Sequence, residues 1–191
     1  MNIIEYYRNH AIFPRQAVEI GVLDAHHCRL VPFIEMGVKT LLFEPNPKYC
    51  SNLIQSLGKH PNVSIHNVAI YKECGCVKMF DRWASTFVEG TIAPAIINDG
   101  YRPSEPDSFL VQCDTFDLYD DGAIDLLLVD TEGCEWHVLE YLISRPSFIA
   151  IETHGYNYKN PFLSEIQEWM EINRYEMVER DQSDTYYQLL K

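Results

Sequence analysis

Apolar residues occur along the chain in two patterns, helical spacing and short continuous runs. Helical spacing of apolar residues predicts helices over residues 2–10, 25–36, 48–57, 135–144 and 162–173. Pro32 is expected to kink the helix over residues 25–36, and Gly37 to end it. Short apolar runs predict buried strands over residues 17–21, 40–44, 63–67, 124–129 and 148–152. An alternation of strands and helices is typical of a doubly wound, mostly parallel α/β sheet.

The end of the chain has a different pattern. Residues 175–179 and 185–190 have strand character, and the turn-forming segment 181–184 joins them, which predicts a hairpin. The hairpin brings the predicted sheet to seven strands and places one antiparallel strand in it. We therefore expect a doubly wound, mostly parallel seven-stranded sheet with a C-terminal antiparallel hairpin.

Residues 71–119 interrupt the alternation of strands and helices. They contain short strand-like runs at residues 77–80 and 109–113 and a proline-rich portion over residues 94–106. We expect a single domain over residues 1–191, in which residues 71–119 form an insertion with short strands and a mobile loop. Because loops on a rigid scaffold often carry binding residues, this insertion is predicted to help build a substrate site.

Acidic residues stand where three of the predicted strands end. Glu44, Asp130 and Glu152 each close an apolar run, and Glu132 follows Asp130 closely. In open α/β sheets, ligands bind outside the carboxyl ends of the strands. The sequence therefore predicts a carboxylate-rich site at this edge of the sheet.

The first predicted strand leads into a turn that contains Gly21. A glycine at this point lets the backbone approach a ligand closely, and an acid at the end of the next strand, here Glu44, can accept hydrogen bonds from ribose hydroxyls. The turn lacks the further glycines of a pyrophosphate-binding fingerprint, and the chain has no P-loop lysine followed by Ser or Thr. This pattern favours an adenosine-type cofactor without a pyrophosphate over NAD or ATP.

The charge balance narrows the choice of partners. Across 191 residues, 15 Lys and Arg against 28 Asp and Glu give a formal net charge of −13. Nucleic acids and anionic membrane surfaces attract basic proteins, so neither is expected as a partner. The six cysteines form no CxxC motif, and the N-terminus lacks the pattern of a signal peptide. We expect reduced thiols in a cytoplasmic protein.

Several short motifs together resemble one family. They are Glu19-x-Gly21-x-x-x-Ala25, Phe43-Glu44-Pro45-Asn46-Pro47, Asn67-Val-Ala69-Ile70, Val129-Asp130-Thr-Glu132-Gly133-Cys-Glu135 and Ile151-Glu152-Thr-His154. In this order they resemble the motifs of the FkbM family, which are S-adenosylmethionine (SAM)-dependent methyltransferases of the class I, Rossmann-like type. The resemblance covers roughly residues 17 to 155.

The resemblance implies methyl transfer, usually to an oxygen, on sugars, glycans or small natural products. By position, Glu19, Gly21 and Ala25 would line the methionine end of SAM, and Glu44 would hold its ribose. Asn67 and Ala69 would lie near the adenine. The predicted cofactor-binding set is completed by Val22, Asp24, Pro45 and Asp130.

His154, Asp130 and Glu132 are the predicted catalytic residues. His154 is the natural general base because the reference pKa of histidine is near the working pH, although a structural histidine fits the pattern equally well. Asp130 could orient His154, bind the amino group of the cofactor or ligate a metal. A divalent cation held by Asp130, Glu132, Glu152 and His154 is possible, but a hydrogen-bonded carboxylate cluster is favoured.

The preferred function is therefore SAM-dependent O-methylation of a sugar or glycan, with a small molecule or glycan as the partner. Ala25 and Leu23 at the glycine turn leave open a non-catalytic module that binds adenosine or SAM. The acidic cluster leaves open a metal-dependent hydrolase.

Overall fold

A sheet that alternates with helices forms the centre of the molecule. The computed structural model describes residues 3–10 and 13–190, so the predicted helix residue Asn2 lies outside them. The strands are β1 (Gln16–Ile20), β2 (Lys39–Phe43), β3 (Val63–His66), β4 (Ala69–Ile70), β5 (Gly75–Phe80), β6 (Phe87–Val88), β7 (Ser108–Asp114), β8 (Leu126–Val129), β9 (Phe148–Glu152), β10 (His154–Gly155), β11 (Tyr158–Lys159), β12 (Tyr175–Arg180) and β13 (Asp184–Leu189). The α-helices are α1 (Ile3–His10), α2 (Val31–Glu35), α3 (Pro47–Leu57), α4 (Pro94–Ile97), α5 (Trp136–Leu139) and α6 (Leu163–Ile172), and 3-10 turns cover Trp83–Ser85, Glu105–Asp107 and Phe116–Leu118.

The main sheet confirms the predicted fold class. It has seven strands in the order β12-β13-β9-β8-β1-β2-β3. The strands from β9 to β3 run parallel, while β13 pairs antiparallel with both β9 and β12. The carboxyl ends of β1, β2, β8 and β9 therefore lie along one edge, and the start of β13 joins them there.

The apolar runs form the centre of this sheet because helices cover both of its faces. Every residue of β8 and β9 is buried. Residues of α1, α2 and α3 pack on one face with Leu126, Leu128 and Phe148, and residues of α5 and α6 pack on the other face with Leu127 and Ile149. Strands buried on both faces need the continuous apolar sequence that predicted them. No helix of the described residues is long and apolar enough to cross a membrane.

The predicted helix over residues 25–36 is wrong in its first half. Residues before Val31 form turns instead, because the carboxylate of Asp24 accepts the N–H groups of His26 and His27. Pro32 lies in the first turn of α2, where it needs no hydrogen-bond donor, so it starts the helix rather than kinking it. Gly37 ends the helix as predicted: the N–H groups of Gly37 and Val38 bond to the carbonyls of Ile34 and Phe33.

The predicted helix over residues 135–144 is also too long, because α5 ends at Leu139. The buried carboxylate of Asp120 accepts the N–H groups of Ile143 and Ser144 at 2.8 and 2.7 Å. These N–H groups would bond to carbonyls of the preceding turn if the helix continued. A side chain distant in sequence therefore replaces the last turn of the predicted helix.

Residues 71–119 contain the short strands that the sequence predicts. The two predicted runs are β5 and β7, and together with β4 and the unpredicted β6 they form a second sheet of four strands, in the order β4-β7-β5-β6. Buried residues of this sheet, including Met79, Val88 and Val111, pack with Cys134 from the loop after β8. The second sheet therefore lies against the edge of the main sheet where the acidic residues are found.

Candidate functional site

A cavity of about 260 Å³ opens at the carboxyl ends of β1, β2 and β8. Its walls come from the ends of these strands, from residues 68–70 and from the second sheet. Trp83 and His27 lie at its rim, with their rings in edge-to-face contact at a centroid distance of 5.3 Å. The cavity thus lies where ligands bind in open α/β sheets.

Gly21 connects the strand ends that carry the acids. Its N–H donates to the carbonyl of Phe43 at 3.0 Å, and the N–H of Asp130 donates to the carbonyl of Ile20 at 2.9 Å. Gly21 has a φ of +84°, and a Cβ placed on it would lie 1.7 Å from the carbonyl oxygen of Asp130. A glycine is therefore required both by the backbone conformation and by the space beside β8.

Glu44 is buried at the end of β2 and organises the turn after β1. Its two carboxylate oxygens accept the N–H groups of Leu23 and Asn46, each at 2.8 Å. Burial raises the pKa of Glu44 to about 7, although these two N–H donors oppose the shift. Each carboxylate oxygen keeps a second lone pair for a ligand. Leu23 has a φ of +64°, which marks a strained turn at the cavity wall.

The structure brings most of the predicted site residues to the cavity. Lining residues from the predicted sets are Glu19, Gly21, Val22, Glu44, Pro45, Ala69, Asp130 and Glu132. Asp24, Ala25 and Asn67 have other positions. Asp24 accepts the N–H groups of the following turn, and Ala25 packs against the face of the sheet that α1, α2 and α3 cover. The side-chain amide of Asn67 donates to the carbonyls of Glu44 and Pro45, both at 2.9 Å, so it fixes the backbone behind the cavity.

His154 lies outside the cavity as the described residues form it. Its Nε2 is 2.8 Å from the carbonyl oxygen of Asp181, and its Nδ1 is 2.9 Å from the hydroxyl of Thr153. Arg180 places its Nε 3.1 Å from both ring nitrogens. The structure therefore does not bring the predicted general base together with Asp130 and Glu132.

Asp130, Glu132 and Glu152 form a tight group of carboxylates, which we call the acid cluster. One oxygen from each residue lies within 4.8 Å of the others. Burial, followed by the charges of the other carboxylates, raises the pKa of Glu132 and of Glu152. Burial also raises the pKa of Asp130, and Arg29 opposes this shift.

Glu135 holds the loop that contains Glu132. It is part of the sequence motif but was not among the predicted site residues. Glu135 is fully buried, and its carboxylate accepts the N–H groups of Thr131 and Gly133 and a bond from the amide of Asn160. Glu132 itself has a φ of +57°. Glu135 therefore acts as a positioning residue that keeps the strained backbone of the acid cluster in place.

Arg29 and Asp184 line the cavity, although neither was predicted from the sequence as a site residue. The backbone N–H and the Nε of Arg29 donate to Glu19, and its Nη1 donates to Asp184. Burial opposes the charge of Arg29, but Glu19, Asp184 and Asp130 outweigh it and raise the pKa. The predicted hairpin contained a clue to the position of Asp184. A strand that runs antiparallel to β9 begins beside the end of β9, and Asp184 at the start of β13 accordingly pairs with Glu152.

Comparisons with known proteins agree with this architecture. A family model described as the methyltransferase FkbM domain matches residues 19–177. No curated protein matches the chain. A similar solved structure is the methyltransferase FkbM from Methylobacillus flagellatus KT, with a TM-score of 0.58 and 15% identity over 96% of this chain and 46% of that chain. The likeness shows a shared fold, and the present chain spans less than half of that protein. Because the family model extends from β1 to β12, the chain belongs to the family of FkbM methyltransferase domains.

Proposed function

We propose that the protein is a SAM-dependent methyltransferase that methylates a hydroxyl oxygen of a sugar or glycan. One observation carries the proposal: Gly21 joins the strand ends that bear Glu44 and Asp130 at the wall of a single cavity. Membership of the family supports methyl transfer. The choice of SAM and of an oxygen acceptor goes beyond the family match and rests on the chemistry of the cavity.

The residues present fit the parts of SAM. Glu44 has free lone pairs for ribose hydroxyls, and Val68, Ala69 and Ile70 offer an apolar wall for the adenine. Arg29 has five N–H donors and can add a carboxylate to its bonds with Glu19 and Asp184. The surplus of carboxylates suits the positive charge of a sulfonium and an ammonium group.

When bound, SAM supplies a methyl group on a positively charged sulfur, which makes the carbon open to in-line attack. The residues of the chain must align the acceptor and, for a hydroxyl, take its proton. Glu132 lines the cavity and its Oε2 has no partner among the described residues. This free oxygen at the cavity wall can accept the proton of a hydroxyl, so we assign Glu132 the role of base in place of His154.

The acceptor would enter from the side of the second sheet. Trp83, 57% exposed, lies on the rim and offers an aromatic face of the kind that suits a sugar ring. Residues 71–119 would thus contribute the acceptor site, which is the role expected for this insertion from the sequence. With a net charge of −13, the protein favours neutral or cationic acceptors over nucleic acids or anionic membranes.

Titration with SAM and S-adenosylhomocysteine, followed by mass spectrometry of a panel of sugars and glycans, tests the proposal. We expect saturable binding of both compounds and methylation of at least one acceptor. Glu44→Ala should weaken binding, whereas Glu168→Ala on the exposed face of α6 should not. Absence of binding would reject the proposal. Binding by a chain that methylates none of the acceptors would favour the non-catalytic SAM-binding module.

A further inference from the structure

The acid cluster brings three carboxyl groups so close together that, once ionised, their negative charge exceeds what the surroundings balance. Asp130 follows β8, Glu132 lies in the next loop, and Glu152 ends β9, so backbone geometry fixes all three residues. One oxygen of each lies within 4.8 Å of the others. Arg29 is the cation that acts on Asp130, and it is already bonded to Glu19 and Asp184. The ionised carboxylates of the cluster therefore attract a further cation.

Buried atoms without partners provide a second, independent observation. Glu132 and Glu152 are only 8% and 7% exposed, and the Oε2 atom of each has no hydrogen-bond partner among the described residues. The hydroxyl of Tyr158, which is 3% exposed, is also without a partner there, and it lies next to Gly133 in the same loop. Buried polar atoms are nearly always bonded in folded proteins, so these oxygens are available to a ligand that enters the cluster.

We propose that Asp130, Glu132 and Glu152 bind one hard divalent cation of the Mg²⁺, Mn²⁺ or Ca²⁺ class at the edge of the cavity. Such cations prefer carboxylate oxygens, at about 2.1 Å for Mg²⁺ and 2.3 to 2.6 Å for Ca²⁺. Oxygens on one cation then lie roughly 3 to 5 Å apart, which agrees with the spacing of the acid cluster. The set contains no sulfur or nitrogen ligand, so soft metals are not favoured.

The place of the cation beside the cavity gives it a role that rests on the proposed function. A hydroxyl oxygen that joins the coordination shell loses its proton to water more easily, because the cation stabilises the alkoxide charge, and Glu132 then acts as a ligand of the cation rather than as the base. The site would thus select acceptors with a hydroxyl group near the carboxylates. Binding of the cation itself needs neither SAM nor an acceptor.

Titration of the EDTA-treated full chain with Mn²⁺, without SAM or an acceptor, tests the site. Free Mn²⁺ is measured by electron paramagnetic resonance, and thermal unfolding is followed in parallel. We expect one saturable site, competition by Mg²⁺ or Ca²⁺, and a higher melting temperature with Mn²⁺. Glu132→Gln and Glu152→Gln should each weaken binding about tenfold or more. Asp114→Asn is the matched control, a buried acid at the end of β7 outside both the acid cluster and the cavity lining, and should keep the affinity.

The titration of the unmodified chain is sufficient to reject the proposal. It does so if Mn²⁺ neither binds saturably nor raises the melting temperature. Equal affinity in the folded Glu132→Gln and Glu152→Gln variants would also reject it. A SAM titration in EDTA separates this result from the proposed function. Mn²⁺ binding without SAM binding supports the cation site and rejects methyl transfer. SAM binding without Mn²⁺ binding rejects the cation site alone.

Discussion

At the scale of single residues, stability and the proposed chemistry depend on the same few contacts. Gly21 lies between two strand ends, Glu44 closes the turn that follows, and Arg29 links Glu19 on β1 to Asp184 on β13. Each contact joins segments that are distant in sequence. Substitutions at these positions should therefore alter folding and ligand binding together.

Gly21→Ala should destabilise the protein strongly. A left-handed conformation costs a residue with a side chain about 1 to 2 kcal/mol, and overpacking against the Asp130 carbonyl adds roughly 1 to 3 kcal/mol. Gly122→Ala is the matched control, because Gly122 has a φ of +83° and a Cβ on it would meet nothing within 4 Å. Urea unfolding should show a clearly larger loss for Gly21→Ala. Equal losses would mean that the contact with Asp130 relaxes freely.

Arg29→Lys tests whether the fork of the guanidinium is needed. A lysine has a single ammonium group and cannot bond to Glu19 and Asp184 with the same geometry. We therefore expect the free energy of unfolding to fall by about 1 to 3 kcal/mol and SAM binding to weaken. Arg15→Lys is the control: Arg15 also pairs with a carboxylate, Asp125, but its side chain is 82% exposed. Exposed pairs contribute little because water screens their charges, so Arg15→Lys should leave stability nearly unchanged. Similar losses in chemical denaturation would contradict the assignment of Arg29.

At the scale of elements, strands were predicted well and two helices were not. A buried parallel strand needs a continuous apolar run, so β8 and β9 and the acids at their ends are visible in the sequence. The lengths of α2 and α5 depend on Asp24 and Asp120, whose carboxylates take backbone N–H groups that a helix would use. The spacing of apolar residues does not predict such side-chain bonds to the backbone. Arg29 escaped prediction for the same reason, since its partners lie on other elements.

Asp120→Ala should show how much the end of α5 depends on a remote side chain. The N–H groups of Ile143 and Ser144 would lose their buried acceptor, which costs about 1 to 3 kcal/mol for a group left unsatisfied. Asp121→Ala is the control next in sequence, because its partner Lys39 is 59% exposed and the pair contributes little. Unfolding in urea measures stability, and hydrogen exchange of the two N–H groups should accelerate in Asp120→Ala. Unchanged exchange would show that Asp120 does not hold the end of α5.

At the scale of the whole molecule, excess negative charge and buried carboxyl groups act in the same direction. The formal net charge is −13, and burial raises the pKa of Glu44 and of the acid cluster. A raised pKa means that the folded chain holds protons that the unfolded chain releases. Folding therefore becomes less favourable as the pH rises, and a bound cation or SAM would compensate part of this cost.

Glu44 allows this pH dependence to be measured at one position. The pKa rises from the reference value of 4.5 to about 7, so the folded state binds more protons than the unfolded state between these values. Stability should fall as the pH rises through this window, and Glu44 accounts for up to about 3 kcal/mol of the fall. Glu44→Gln cannot titrate, so its unfolding free energy should decline less steeply from pH 5 to pH 8 at constant ionic strength. Parallel curves for the two proteins would show that Glu44 keeps an ordinary pKa, and its buried carboxylate would then be stabilised fully by the N–H groups of Leu23 and Asn46.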